Sequence, residues 1–145
     1  MLFLGTDHRG FELKENIKKF LEQENIVYID CGVYSKDRAD FPLVAEDVCN
    51  RMDKKIDLSI LICGSGIGMS IAANKINGIR AGVCFNELGA KDGKEHSNIN
   101  CLVLPGDFID IELSKKIIKT WLESKFLGGR YLDRIQMIEK IEKDN

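Results

Sequence analysis

Apolar residues along this chain fall in short runs separated by longer stretches where apolar and charged positions mix. The runs Leu2–Leu4, Ile26–Cys31, Leu58–Ile62, Arg80–Phe85 and Cys101–Leu104 have strand length, and their near-continuous apolar character predicts a sheet covered on both faces. Between the first two, Phe11–Glu24 spaces Phe11, Ile17, Phe20 and Leu21 roughly for one helical face, with Lys14, Lys18 and Lys19 expected to point outward. Pro42 predicts the start of a second helix, where a missing amide donor does least harm, and Leu43, Val44, Asp47 and Val48 continue it. Met69–Ile76 and Glu87–His96 are placed as short helices by the alternation of elements more than by periodicity. Then come Ile111–Ser124, a Gly128-Gly129 break and a last helix from about Arg130 to Glu142. Strands alternating with crossover helices predict an α/β fold, a doubly wound sandwich. No linker, repeat or low-complexity tract divides it, so residues 1–145 read as one domain.

Composition narrows the partners. With 21 basic and 23 acidic side chains in 145 residues, the whole-molecule field gives no argument for nucleic acid or an anionic membrane, and any anion site must be local. The first apolar run is too short for a signal peptide and lacks its basic lead, and no run approaches membrane-spanning length. Cysteines 31, 49, 63, 84 and 101 are odd in number, scattered and mostly inside apolar runs, which fits reduced core thiols better than a disulfide frame or a zinc site. The expectation is a cytoplasmic, metal-free protein.

The candidate chemistry sits where Leu58–Ile62 runs into Cys63-Gly64-Ser65-Gly66-Ile67-Gly68-Met69-Ser70, a buried strand entering a glycine-rich turn before a helix. Glycines there let backbone amides approach a ligand, and the helix N-terminus adds partial positive charge, so the loop suits an oxyanion or phosphate. It is not a P-loop, because no Lys-Ser/Thr pair ends it, and the first strand lacks a dinucleotide-type loop. Cys63, at the carboxyl end of a strand beside those amides, is singled out as a reactive thiol. Cys31, Cys49, Cys84 and Cys101 are assigned to structure.

Asp7 and His8 follow the first strand at the same sheet edge and are read as site residues. Spacing alone leaves His96 open between a surface group and a site residue. Arg130 and Arg134 lie four residues apart on one helix face; they fit an ordinary solvated face, or a pair of guanidinium forks for a phosphate.

The series Asp7-His8-x-Gly-Phe-x-Leu-Lys, Cys63-Gly-Ser-Gly-Ile-Gly-Met-Ser-Ile-Ala-Ala-Asn-Lys, Gly78-Ile79-Arg80-Ala81, Glu95-His96 and Phe126-x-Gly-Gly-Arg130-x-x-x-Arg134 resembles the type B ribose-5-phosphate isomerases and the bacterial galactose-6-phosphate isomerase subunits. The likeness spans essentially the whole chain. It implies a Rossmann-like three-layer sandwich with a five-stranded parallel sheet. It also implies a homodimer or tetramer with sites shared between chains, the last helix contributing, and an aldose–ketose isomerase of sugar phosphates that needs no cofactor. By that likeness His96 helps open the sugar ring and Cys63 removes the proton next to the carbonyl. Ser65 hydrogen-bonds or shuttles protons, and the amides of Gly64, Gly66, Ile67 and Gly68 hold the enediolate. Asp7 holds sugar hydroxyls, while His8, Arg130 and Arg134 bind phosphate, some across the dimer. A base, an oxyanion cradle and an anion anchor are what proton transfer next to a carbonyl requires.

One branch of the family carries a glutamate base where this chain has Met69, so the resemblance is to the cysteine branch. Other departures bear on the substrate. Ser97 replaces a usual asparagine and Asp107 a usual arginine. Arg9 stands where many relatives have alanine and could compensate for Asp107; Phe41 replaces a tyrosine and Tyr131 a histidine. Ribose 5-phosphate is the leading substrate, with a six- or four-carbon sugar phosphate as the alternative. A non-catalytic sugar-phosphate binding protein and a flavodoxin-like or nucleotide-binding module are the readings from other classes.

Overall fold

A computed structural model describes all 145 residues. Five strands, β1 Leu2–Thr6, β2 Tyr28–Asp30, β3 Leu58–Cys63, β4 Ala81–Val83 and β5 Cys101–Pro105, form one parallel sheet in the order β2-β1-β3-β5-β4. Six α-helices connect or follow them: α1 Phe11–Gln23, α2 Phe41–Arg51, α3 Ile67–Ala73, α4 Glu87–Ser97, α5 Ile111–Glu123 and α6 Arg130–Asp144. The three central strands are the apolar runs, buried almost throughout, and the two three-residue strands lie at the edges, only partly covered.

Because successive strand residues face opposite ways, the sheet divides the core in two. Leu2, Leu4, Ile60, Ile62, Leu102 and Leu104 meet α1 and α5 through Ile17, Phe20, Leu21, Ile117, Ile118 and Trp121. Phe3, Leu61, Cys63, Cys101 and Val103 meet α2 and α3 through Ala45, Val48, Cys49, Met52, Met69 and Ala73. Each such aliphatic side chain stabilises the fold by about 1.5–3 kcal/mol relative to exposure. No helix is long and apolar enough to cross a membrane.

Element boundaries shift by a few residues from the sequence expectation. The helix after Asp40 starts at Phe41, one residue before Pro42, and α3 starts at Ile67, inside the glycine-rich segment. One expectation is reversed. Lys14 does not point outward: its side chain is fully buried, and Nζ donates to Asp30 Oδ1 at 2.6 Å and to the Val33 carbonyl at 2.7 Å. Lys18 donates to the other oxygen of Asp30 at 2.9 Å. A buried ammonium is tolerable only when paired and hydrogen-bonded, and Asp30 reaches it from the edge strand β2. The local pattern of α1 gave no sign of a partner sixteen residues away. Burial of Asp30 opposes its ionisation, but the bonds from Lys14, Lys18 and the Gly32 amide prevail and hold its carboxyl below the ordinary value.

Candidate active site

Strands β1 and β3 are neighbours, Thr6 pairs with Ile62, and the Asp7 amide donates to the Ile62 carbonyl at 3.2 Å. Asp7 and Cys63 therefore leave adjacent strands at the carboxyl edge of the sheet, the position where open α/β sheets hold ligands. Cys63 is only 4% exposed. Its Sγ accepts a hydrogen bond from the Gly66 amide at 3.2 Å, and Ser65 Oγ accepts from the Ile67 amide at 3.2 Å. Gly66 has φ +78°, a left-handed turn that glycine adopts without penalty and that swings the chain from β3 into α3.

The turn is anchored from β5: the Gly106 amide donates to the Cys63 carbonyl at 2.8 Å and the Asp107 amide to the Gly64 carbonyl at 2.9 Å. The amides of Gly64, Ser65 and Gly68 donate to no acceptor within the chain. Free donors gathered in one turn beside a thiol at a strand end suit an oxyanion.

Asp7 is 5% exposed and caps a 3-10 turn, His8–Gly10, through Oδ1, which accepts from the Arg9 amide at 3.0 Å and from the Gly10 amide at 3.3 Å. Both bonds fall on one oxygen, which leaves Oδ2 for a ligand hydroxyl. The Ala39 amide donates to His8 Nδ1 at 3.1 Å, so a neutral ring carries its hydrogen on Nε2. A protonated ring donates instead from Nδ1 to the Ala39 carbonyl, 3.3 Å away.

Asp7, His8 and Arg9 line an open cleft of about 680 Å³ together with Arg38, Asp40 and Phe41. The Cys63 loop lies against it. A Cβ added to Gly64 would come within 2.5 Å of the Arg9 guanidinium carbon, and one added to Gly68 within 2.6 Å of the Phe41 ring. Arg9 and Phe41 thus cover the loop at its two ends, and Arg9 forms an ion pair with Asp107. Arg38 was not foreseen as part of this cleft. It belongs to a segment without apolar periodicity, which is brought here by backbone bonds of Gly32 and Val33 to Thr6 and by the Ala39–His8 contact.

Cys84 is pushed up to about 11 by burial, and the contact with Cys49, with burial, holds Cys101 well above the ordinary thiol value. Cys31 is raised by burial. Met69 is fully buried among the α2–α3 contacts. Nowhere do three or more His, Cys, Asp or Glu side chains converge as a metal ion would need.

The remaining candidates form a separate cluster. Helix α4 leaves β4 at the carboxyl edge and ends before β5 begins, so His96, in its last turn, lies at the amino edge of the sheet, opposite Cys63. There His96 stacks on Tyr131, with ring centroids 4.5 Å apart and planes inclined by 14°. Arg130 and Arg134 lie over the same Tyr131 ring at 5.1 Å and 5.7 Å, and the Leu127 amide, donating to the Glu95 carbonyl at 3.1 Å, ties this segment to α4. Ser97 lines a different cavity of about 550 Å³ between β4, α4 and α6. Within one chain, then, Asp7, His8, Cys63, Gly64, Ser65, Gly66, Ile67 and Gly68 come together, whereas His96, Ser97, Arg130 and Arg134 do not join them.

Comparison with known proteins agrees along almost the whole length. A family model described as Ribose/Galactose Isomerase matches residues 2–138. Ribose-5-phosphate isomerase B of Escherichia coli is 39% identical over 140 residues, covering 96% of this chain and 94% of the relative. Among solved structures, ribose-5-phosphate isomerase B from Clostridium thermocellum superposes with TM-score 0.95 at 38% identity, covering 99% of this chain and 97% of that one. The Mycoplasma genitalium enzyme, solved with bound ribulose-5-phosphate, superposes with TM-score 0.90 at 36% identity, covering 99% and 97%.

Proposed function

Because the chain belongs to the ribose/galactose isomerase family, we propose that it interconverts ribose 5-phosphate and ribulose 5-phosphate, with Cys63 as the base. The observation that carries this reading is the Cys63 thiol set beside the unpaired amides of Gly64, Ser65 and Gly68. A Cys63 thiolate takes the proton from the carbon next to the carbonyl. The C–H electron pair moves into a cis-enediolate, whose developing charge those amides stabilise, and the proton returns to the adjoining carbon. Ser65 sits within the same turn to relay hydrogen between the two oxygens. Asp7 Oδ2 accepts from sugar hydroxyls, and the cleft with His8 receives the phosphate end.

One chain supplies half of this site. A second copy completes it by bringing His96, for ring opening, and Arg130 and Arg134, for the phosphate, to the Cys63 edge. Exposed apolar surface supports such a pairing. Ile67 and Ile71, one turn apart on α3, are 61% and 57% exposed, and Met137 and Ile141, one turn apart on α6, are 63% and 62% exposed. Apolar faces of this kind mark association surfaces, and an isologous dimer presents each of them twice.

The test is an isomerase assay of purified protein on ribose 5-phosphate, alongside allose, galactose and erythrose phosphates, with Cys63→Ala as control. Turnover of ribose 5-phosphate that disappears in the variant is the expected result. Activity confined to another sugar phosphate would move the substrate assignment, and no turnover of any of them would leave a binding protein.

A further inference from the structure

The pair formed by Arg9 and Asp107 stands at the mouth of the Cys63 loop. Asp107 is held there by its own backbone, whose amide donates to the Gly64 carbonyl at 2.9 Å. Arg9 reaches the same point from the 3-10 turn after β1, its guanidinium carbon 2.5 Å from where a Cβ on Gly64 would lie. The turn itself is fixed, since the Arg9 and Gly10 amides bond the nearly buried Asp7 carboxylate. Arg9 also lines the cleft shared by His8 and Arg38. The guanidinium therefore faces both the oxyanion cradle and the cleft, and Asp107 is its only carboxylate partner.

We propose that Arg9 is a specificity-determining residue that contacts the substrate's phosphate, with Asp107 as a resident counter-ion which that phosphate must displace or share. The proposal rests on the sugar-phosphate isomerase reading of the site. A planar guanidinium presents several donors and can serve a carboxylate and a phosphate together. A phosphate dianion competes with Asp107 by its charge, whereas a neutral sugar or a weakly charged group does not. The pair makes the rim of the site electrically neutral at rest and selective for a doubly charged ligand. Asp107 lowers affinity for every anion, and Arg9 restores it for the phosphate.

The two residues accordingly have opposite effects, which a double-mutant cycle reads directly. Arg9→Ala leaves Asp107 unpaired against the incoming dianion and raises KM by about tenfold or more, the scale of a charge-assisted hydrogen bond. Asp107→Ala releases Arg9 and lowers KM by roughly two- to fivefold, the scale of an exposed ion pair. The double variant falls between them. Both side chains are substantially exposed, at 57% and 35%, so the variants should fold, and circular dichroism confirms it.

The same order should appear in the competitive inhibition constant for inorganic phosphate, and in calorimetric binding of ribose 5-phosphate to the four forms in a Cys63→Ala background. Those binding measurements test Arg9 even if the wild-type protein turns over no sugar phosphate, an outcome that would sink the functional reading instead. Phosphate affinities within twofold across all four forms, or weaker binding in Asp107→Ala, would overturn the proposal.

Discussion

The Cys63 cluster and the His96 cluster carry complementary chemistry but are held in place by different means. Around Cys63 the backbone does the positioning: β1 and β3 pair in register, β5 bonds the loop through Gly106 and Asp107, and Asp7 closes the turn that bears His8. Around His96, the stack on Tyr131 and the Leu127–Glu95 backbone bond tie the group to the C-terminal segment, and Arg130 and Arg134 stand on a helix in which Ile135 is the one buried residue. The Cys63 cluster, formed on central strands, is assembled within one chain. The Arg130–Arg134 pair, on a loosely covered terminal helix, stands apart from it. Under the proposed pairing, the second cluster gains its geometry by association, and its exposed apolar neighbours on α6 become part of the interface.

The largest expected effect lies in the rigid cluster. Cys63→Ala removes the base and should reduce turnover by roughly 10²–10⁴-fold, read as kcat for ribose 5-phosphate with ligand binding retained. Retained turnover would return Cys63 to a structural role. Next comes the buried ion pair that supports the same side of the molecule. Lys14→Met leaves Asp30 without its buried partner and should cost about 3–5 kcal/mol in denaturant unfolding. A cost below about 1 kcal/mol would mean that water replaces the ammonium easily.

In the looser cluster Arg134→Ala should raise KM about tenfold with little loss of thermal stability, because its side chain is exposed. Equal losses of stability and binding would break the distinction drawn between the two regions. The smallest effect concerns acid. The carboxyl of Asp30 lies below its ordinary value of 3.8 in the folded state, so its stabilising contribution is complete above that pH and disappears as the pH falls through the lower, folded-state value. The denaturant midpoints of wild type and Asp30→Asn should therefore converge below about pH 4. A difference that stays constant from neutral pH to that region would contradict the assignment.

The central strands were legible because burial on both faces leaves an uninterrupted apolar signature, and the Cys63 loop because glycine spacing beside a thiol has few other uses. The edge strands were read too long: Ile26–Cys31 shrinks to Tyr28–Asp30 and Arg80–Phe85 to Ala81–Val83, since an apolar run marks burial and not the ladder, and Ile26 and Cys84 pack on the core from outside the strands. Helical periodicity could not show that Lys14 is buried, because Asp30 and Val33 arrive from beyond the helix. Nor could it show Arg38 in the cleft, which depends on contacts of Gly32, Val33 and Ala39 with the end of β1 and with His8. The placement of Arg9 against Asp107, raised from the sequence as a compensation, depends on two loops meeting over Gly64. Which residues share a site within one chain was the least legible property, because His96 is near Cys63 in the resemblance and opposite to it on the sheet.

In the proposed dimer each site takes its base from one chain and His96 from another, and subunit mixing is the decisive experiment. Cys63→Ala and His96→Ala proteins, each inactive alone, are combined, dissociated and reassociated. If sites are shared across an isologous dimer, half of the reassociated dimers are hybrids with one intact site, and turnover returns to roughly a quarter of the wild-type value. If Cys63 and His96 act within one chain, no hybrid contains an intact site, and a mixture that stays inactive while hybrids demonstrably form would contradict the account.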